Sequence, residues 1–272
     1  MPARTPLMEP LGLIAGKGSL PRVVCETARL RGIPVIAVAF SAESAKTLHG
    51  CADVKVLGVG QAGKIIQRFK DTGCHNVCLI GKVDKKTVFE KIALDIRGMK
   101  IMGRLLKKDD GSIMRDVIEE LESEGLHVEK QTDWLPPLLP LRGILGKVKP
   151  SKQAQADMEY GFGLCKEMAD KEIGQTVLVK DHTVLAVEAV EGTDAAIERG
   201  CALGGKGAVM AKTSRPKQDL RFDIPAVGPD TVHLLAKHGA TGLAVEAERV
   251  VVVDLPEVIA ICDKAGIALA AL

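Results

Sequence analysis

Short apolar runs alternate with amphipathic segments through this chain, and that alternation constrains its fold more than any other feature. The runs Leu11–Ala15, 35–40, 54–57 and 77–80 are four to six residues long. Between them, 21–31 and 64–71 carry helical spacing, with Pro21 at the first helical position. The runs lack strict period-2 polarity, so the strands are covered on both faces, as in a parallel sheet. Helices are also predicted around 89–106 and 113–124, the second with Ser112 as N-cap and Gly125 just past its end.

The second half repeats the α/β pattern. A helix is predicted over 151–169, weakened by Gly161 and Gly163. Strands over 176–179 and 184–189 pair across Asp181-His182. Helices over 194–201, 230–238 and 256–265 alternate with strands over 208–211, 243–245, 250–253 and 267–269. At about 100–200 residues per domain, 272 residues suit two α/β domains, the first a Rossmann-like parallel sheet. Pro136, Pro137, Pro140, Pro150, Gly143 and Gly146 mark the break. The expected division is a domain over 1–133, a connection over 134–150 and a catalytic domain over 151–272. The connection is apolar (Trp134, Leu135, Leu138, Leu139, Leu141, Ile144, Leu145), so it packs on a domain face or lines an apolar groove.

Composition excludes several functions. Lys and Arg number 37 against 35 Asp and Glu, a balance unlike that of a nucleic-acid binder. Aromatics are only 3%, too few for a stacking platform, so the cores must be Val, Ile, Leu and Ala. No run reaches the roughly 18–20 apolar residues of a membrane span. The N-terminus is broken by Pro2, Pro6, Glu9, Pro10 and Lys17, which argues against a signal peptide and for a cytoplasmic protein. Seven scattered cysteines fit reduced core residues, and Cys74 and Cys78 lack a second ligand pair for zinc. Neither G-x-S-x-G nor H-E-x-x-H occurs.

Three glycine turns could meet a ligand. Gly58-Val59-Gly60-Gln61-Ala62-Gly63-Lys64 matches G-x-G-x-x-G, with Asp84 as its ribose acid, but it follows the third strand rather than the first. Read as a P-loop it fails, because Ile65 stands where Ser or Thr should hold magnesium. Gly16-Lys17-Gly18-Ser19 ends the first strand and opens a helix, and Gly81-Lys82 ends the fourth. Together they point to a nucleotide or phosphate at one sheet edge.

The acidic residues gather in the second half. In Gln218-Asp219-Leu220-Arg221-Phe222-Asp223-Ile224-Pro225, an extended chain would put Asp219, Arg221 and Asp223 on one side. Two carboxylates beside a guanidinium suit a divalent cation and a phosphate, or else form ordinary surface ion pairs. Lys212 closes the preceding strand. Glu188, Glu191 and Asp194 lie within seven positions and need a cation or Arg199 to offset their repulsion. Thr193 or Asp194 would also cap the next helix.

These segments resemble the UDP-2,3-diacylglucosamine pyrophosphatases of the LpxI type. The likeness is carried by LGLIAGKGSLP, GVGQAGKIIQRFK, LIGKV, KDDGSIMRDVIEELESEG, IGQTVLVKDHTVLAVEAVEGTDAAIERG and VMAKTSRPKQDLRFDIPAVGPDTV. It implies magnesium-dependent hydrolysis of UDP-2,3-diacylglucosamine to UMP and 2,3-diacylglucosamine 1-phosphate in lipid A synthesis, with the active site between two domains. The catalytic Asp falls on Asp223, joined by Asp219, Arg221 and Lys212. Metal ligands would be drawn from Asp223, Glu188, Glu191 and Asp194, and substrate contacts from Gly16, Gly18, Gly81, Lys82, Thr193 and Arg199. Lys17 departs from the small or polar residue expected in the glycine loop. The lipid substrate implies peripheral contact with the inner membrane, and homo-oligomerisation stays open. The rival readings are an NAD(P)-dependent oxidoreductase using Gly58, Gly60 and Gly63, and a UDP-sugar-binding regulatory module without turnover.

Overall fold

The computed structural model describes residues 8–83, 95, 97–99 and 110–272. The predicted helix around 89–106 and the candidate ribose acid Asp84 lie largely or wholly outside them. The chain divides into two units, one of residues 1–136 with Leu220–Asp223, the other of residues 137–219 with 224–272.

Unit 1 is a parallel five-stranded sheet in the order β3-β2-β1-β4-β5. Its strands are β1 (Leu11–Ala15), β2 (Val35–Ala39), β3 (Asp53–Val56), β4 (Asn76–Ile80) and β5 (His127–Val128). The helices whose bounds fall within the described residues are α1 (Leu20–Leu30), α2 (Ala42–Lys46), α3 (Ala62–Asp71) and α4 (Asp110–Ser123). β1 and β2 are buried at every position, as their continuous apolar runs require. Ile14, Val38, Phe69, Val77, Ile118 and Leu126 share one apolar cluster. From β1 the chain winds to β2 and β3, then returns to β4 on the other side of β1. The order therefore reverses between β1 and β4, where open α/β sheets bind ligands. The short α2 and β5 carry too little periodicity to be read from sequence. Ser112 lies inside α4 rather than capping it.

Unit 2 is a six-stranded mixed sheet in the order β6-β13-β11-β9-β7-β8. β9 (Val209–Lys212), β11 (Gly242–Val245) and β13 (Ala268–Ala271) run parallel. β6 (Gly143–Leu145), β7 (Thr176–Lys180) and β8 (Thr183–Val187) are joined antiparallel. β10 (Ala226–Val227) and β12 (Val251–Val252) form a separate pair. The helices are α5 (Lys152–Asp170), α6 (Thr193–Gly204), α7 (Pro229–Lys237) and α8 (Leu255–Ala265). Ala154, Met158 and Cys165 of α5 pack with one set of strand residues, while Ile197, Leu235 and Val258 pack with another. Ser151 caps α5 by accepting from Ala154 N at 3.1 Å. Asp181 and His182, between β7 and β8, have φ of 51° and 56°, as a two-residue hairpin turn demands. The buried Asp157 carboxylate accepts both their N–H groups, at 2.9 and 2.8 Å.

The proline-rich break is more ordered than its composition suggests. Trp134, Leu135 and Leu138 are buried, and Trp134 Nε1 donates to Glu129 Oε2 at 2.6 Å. Arg31 lies over the Trp134 ring, 4.9 Å from its centre. Residues 143–145 form β6 instead of an unpaired linker. An apolar groove built on Trp134 and Leu138 is thereby ruled out, since their side chains are already buried. Among the described residues no helix is long and apolar enough to cross a membrane.

Candidate active site

In unit 1 the exits of β1 and β4 are fused. Gly16 N donates to Ile80 O at 2.8 Å, and Lys17 and Lys82 exchange backbone hydrogen bonds of 2.8 and 2.9 Å. The two glycines make this approach possible. A Cβ on Gly16 would lie 2.6 Å from the Gly81 carbonyl carbon, and Gly81 has φ +99° with its own Cβ position 2.8 Å from Gly16. Lys17 thus contributes backbone pairing that any non-proline residue could supply. Gly18 differs: its φ is +99°, but nothing lies within 4 Å of the added Cβ. The first turn of α1 follows at once and brings the positive end of its dipole to this edge.

Leu220–Asp223 also belongs to unit 1. Leu220 O accepts from Gln131 N at 2.8 Å, and Gln131 Nε2 donates to Leu79 O. Arg221 Nη1 meets Glu122 Oε1 of α4 at 3.0 Å, and Phe222 packs on the apolar cluster of unit 1. Residues 220–222 are a turn, so the extended chain predicted to align Asp219, Arg221 and Asp223 is not formed. The hydrogen bond to Gln131 and the packing of Phe222 outweigh the local alternation. Asp223 is half-buried at the end of this turn, and Asp219 falls in unit 2.

Unit 2 places a buried ammonium at the carboxyl end of its parallel strands. Lys212 Nζ donates to Thr193 Oγ1 at 2.8 Å and to Thr176 Oγ1 at 3.1 Å, with Glu188 Oε2 at 3.9 Å. Thr193 Oγ1 in turn donates to Glu188 Oε1 at 2.7 Å. Burial pushes the Lys212 pKa below the ordinary lysine value, while the Glu188 and Asp194 carboxylates oppose that shift. Gly192 is the N-cap of α6, so Thr193 and Asp194 stand in its first turn and not at the cap. Gly192 takes that place because its φ is +82°. Cation and helix N-terminus are thus held within one unit, an arrangement suited to a phosphate.

Two glutamines extend this network. Gln175 N donates to Glu188 Oε2 at 3.3 Å, and Gln175 Nε2 donates to Gln218 Oε1 at 2.7 Å. Gln218 Nε2 is buried with no hydrogen-bond partner among the described residues, an arrangement that costs free energy unless something else accepts from it. Sequence reasoning missed Gln175, Thr176 and Gln218. The only signal was the place of Gln218 beside Asp219. Deeper along the same edge, Glu246 accepts from Ser214 N and Oγ at 2.8 Å each and from Lys166 Nζ at 2.8 Å.

The carboxylates of 188–194 do not converge. Glu191 Oε1 meets Arg199 Nη2 at 2.5 Å and Oε2 accepts from Ala189 N at 3.2 Å. Its pKa is held low by its own backbone N–H and by Arg199. Arg199 Nη2 also donates to Val187 O at 2.9 Å. Among the described residues no three His, Cys, Asp or Glu side chains are grouped to hold a metal ion. Magnesium does not require such a cage. It keeps several waters and takes one or two carboxylates together with substrate phosphates.

The Gly58–Gly63 turn is filled by the protein itself. Asp95 Oδ2 accepts from Lys64 N at 3.2 Å, Oδ1 accepts from Gly98 N at 2.8 Å, and Asp95 N donates to Gly60 O at 3.1 Å. A Cβ on Gly63 would come within 3.0 Å of Asp95 Oδ2, and one on Gly98 within 1.9 Å of Gly60 O. These glycines admit a neighbouring segment, and the anion at the start of α3 is a side chain rather than a pyrophosphate.

The LpxI N-terminal domain model matches residues 10–138 and the LpxI C-terminal domain model matches residues 141–270. The UDP-2,3-diacylglucosamine pyrophosphatase LpxI of Caulobacter vibrioides is 36% identical, the match covering 96% of each chain. Solved structures overlap far more weakly. The biotin carboxylase domain of Hydrogenobacter thermophilus 2-oxoglutarate carboxylase is 14% identical over 65% of this chain, with a TM-score of 0.28. N5-carboxyaminoimidazole ribonucleotide synthetase from Thermotoga maritima is 14% identical over 68%, with a TM-score of 0.27. The overlaps span 36% and 42% of those two chains, and at such scores they assign no shared function.

Proposed function

This chain belongs to the LpxI family, and on that premise we propose that it is a hydrolase acting on the pyrophosphate of UDP-2,3-diacylglucosamine in lipid A synthesis. The products are UMP and 2,3-diacylglucosamine 1-phosphate. The observation that carries this reading is the 36% identity to the Caulobacter pyrophosphatase over nearly the whole chain.

Pyrophosphate hydrolysis needs neutralised phosphate charge and a positioned water, with little covalent help from the protein. The Lys212 ammonium, fixed by Thr176 and Thr193, donates to a phosphate oxygen. The first-turn N–H groups of α6 support the same charge. Glu188 is engaged by the Thr193 hydroxyl, so it orients Lys212 through that hydroxyl. Asp223 accepts a proton of the attacking water at its carboxylate. Gly16, Gly18, Gly81 and Lys82 receive the nucleotide end at the β1–β4 reversal. Glu191 and Arg199, satisfied by each other, hold the turn between β8 and α6.

Magnesium, which would neutralise phosphate charge when bound, completes the reading, with Asp194 in the first turn of α6 as the carboxylate of unit 2 that would hold it alongside the substrate. Of the apolar residues 134–145, Leu141 and Ile144 are the exposed ones, which makes them the candidates in that run for acyl-chain or membrane contact. The test is UMP release from UDP-2,3-diacylglucosamine with magnesium and with a chelator. Metal-dependent release is expected. Undiminished release in chelator would remove magnesium from the reading, and no release from folded protein would remove the activity.

A further inference from the structure

Two cysteines of unit 1, neither of which has a role above, meet each other. Cys25 lies on the buried face of α1, and Cys51 sits in the turn before β3. Their sulfurs are 2.8 Å apart, less than 1 Å longer than a disulfide bond of about 2.05 Å. The Gly50 backbone, which has φ +85°, runs beside the same helix: a Cβ built there would lie 3.8 Å from Cδ of Arg29, one helical turn beyond Cys25. Ala52 N donates to Val35 O at 2.8 Å and ties the next residue to β2. Both sulfurs therefore hang from fixed backbone.

We propose that Cys25 and Cys51 form a redox modification site that closes to a disulfide on reaction with a low-molecular-weight disulfide such as oxidised glutathione. The pair divides the chemistry. Cys51 is half-buried, whereas the other six cysteines, Cys25 included, are buried. Its pKa is lowered by the hydrogen bond from Cys25, while that bond and burial push Cys25 up. Burial pushes Cys74, Cys78, Cys165, Cys201 and Cys262 up as well. Cys51 is thus the attacking thiolate. It displaces one thiolate from the reagent and forms a mixed disulfide. The departing thiolate takes the Cys25 proton, and the Cys25 sulfur then attacks the Cys51 sulfur and releases the second thiolate, which takes back from water the proton that Cys51 gave up. Two protein thiols and one reagent disulfide become one protein disulfide and two reagent thiols, and the electron pair passes to the reagent.

The experiment treats the full chain with oxidised glutathione, alkylates remaining thiols, and reads intact mass and non-reduced peptide maps. The expected product has one Cys25–Cys51 cross-link and five alkylatable thiols, the seven cysteines less that pair. Its midpoint of thermal unfolding should be higher, and dithiothreitol should reverse all of these changes. Cys51→Ser should abolish the cross-link, and Cys25→Ser should leave a stable glutathione adduct at Cys51. Seven alkylatable thiols in the treated wild type would overturn the proposal. So would a lasting adduct there without a cross-link, or a cross-link between other cysteines.

Discussion

The two units offer a ligand the same end of a sheet in opposite materials. At the edge of unit 1, Gly16 and Gly81 present backbone, and the geometry is set by steric contact. At the edge of unit 2, Lys212, Thr176, Thr193 and Glu188 present side chains, and the geometry is set by charge and hydrogen bonds. A glycine edge tolerates no added atom, while a buried-charge edge tolerates no lost partner. Related architectures can thus carry different chemistry, and function must be read from the edge and not from the fold.

Mutations should separate the two kinds of edge. Asp223→Ala is expected to lower kcat by about 10³-fold, in the range of a lost general base, with the thermal midpoint nearly unchanged; UMP release and melting measured together check it. Lys212→Met should cost about 10²–10³-fold in kcat. Its pKa is lowered, so the ammonium is lost as pH rises through a value below the ordinary lysine 10.5. The alkaline limb of kcat/KM should therefore lie below that value and move up in Lys212→Arg. A limb that stays put would take Lys212 out of the chemistry.

Gly81→Ala should act on stability, by about 2–3 kcal/mol, because its Cβ would meet Gly16 in a strained backbone region. Gly18→Ala, with the same φ but open space around it, should cost only about 1 kcal/mol in denaturant titration. Equal losses at these two glycines would mean that backbone conformation, and not close approach, governs the unit 1 edge.

Unit 1 was the more legible in sequence. β1, β2 and β4 are continuous apolar runs, and a run buried on both faces is visible in one dimension. The glycines at 16 and 81 were visible too, though not that they touch each other. The G-x-G-x-x-G turn was misleading because the partner that needs its glycines, Asp95, lies 31 residues beyond Lys64. In unit 2, Lys212 and Thr193 stood out as candidates, but Gln175 and Thr176 did not. The role of Thr176 comes from antiparallel pairing of β7 with β9, which brings it opposite Lys212. Alternating charge in 219–223 suggested a strand, yet the hydrogen bond of Leu220 to Gln131 and the packing of Phe222 bend it into a turn. Such long-range contacts leave no periodic trace.

The membership of Leu220–Asp223 in unit 1 has a consequence for the making of the protein. Unit 1 is not a continuous stretch of chain. During synthesis, residues 1–136 emerge without Phe222 to cover part of their apolar cluster. They wait until β6 through β9 of unit 2 have been translated. A gene fragment ending at residue 136 would encode an unfinished surface, and supplying residues 220–223 as a separate peptide would be the natural way to complete it.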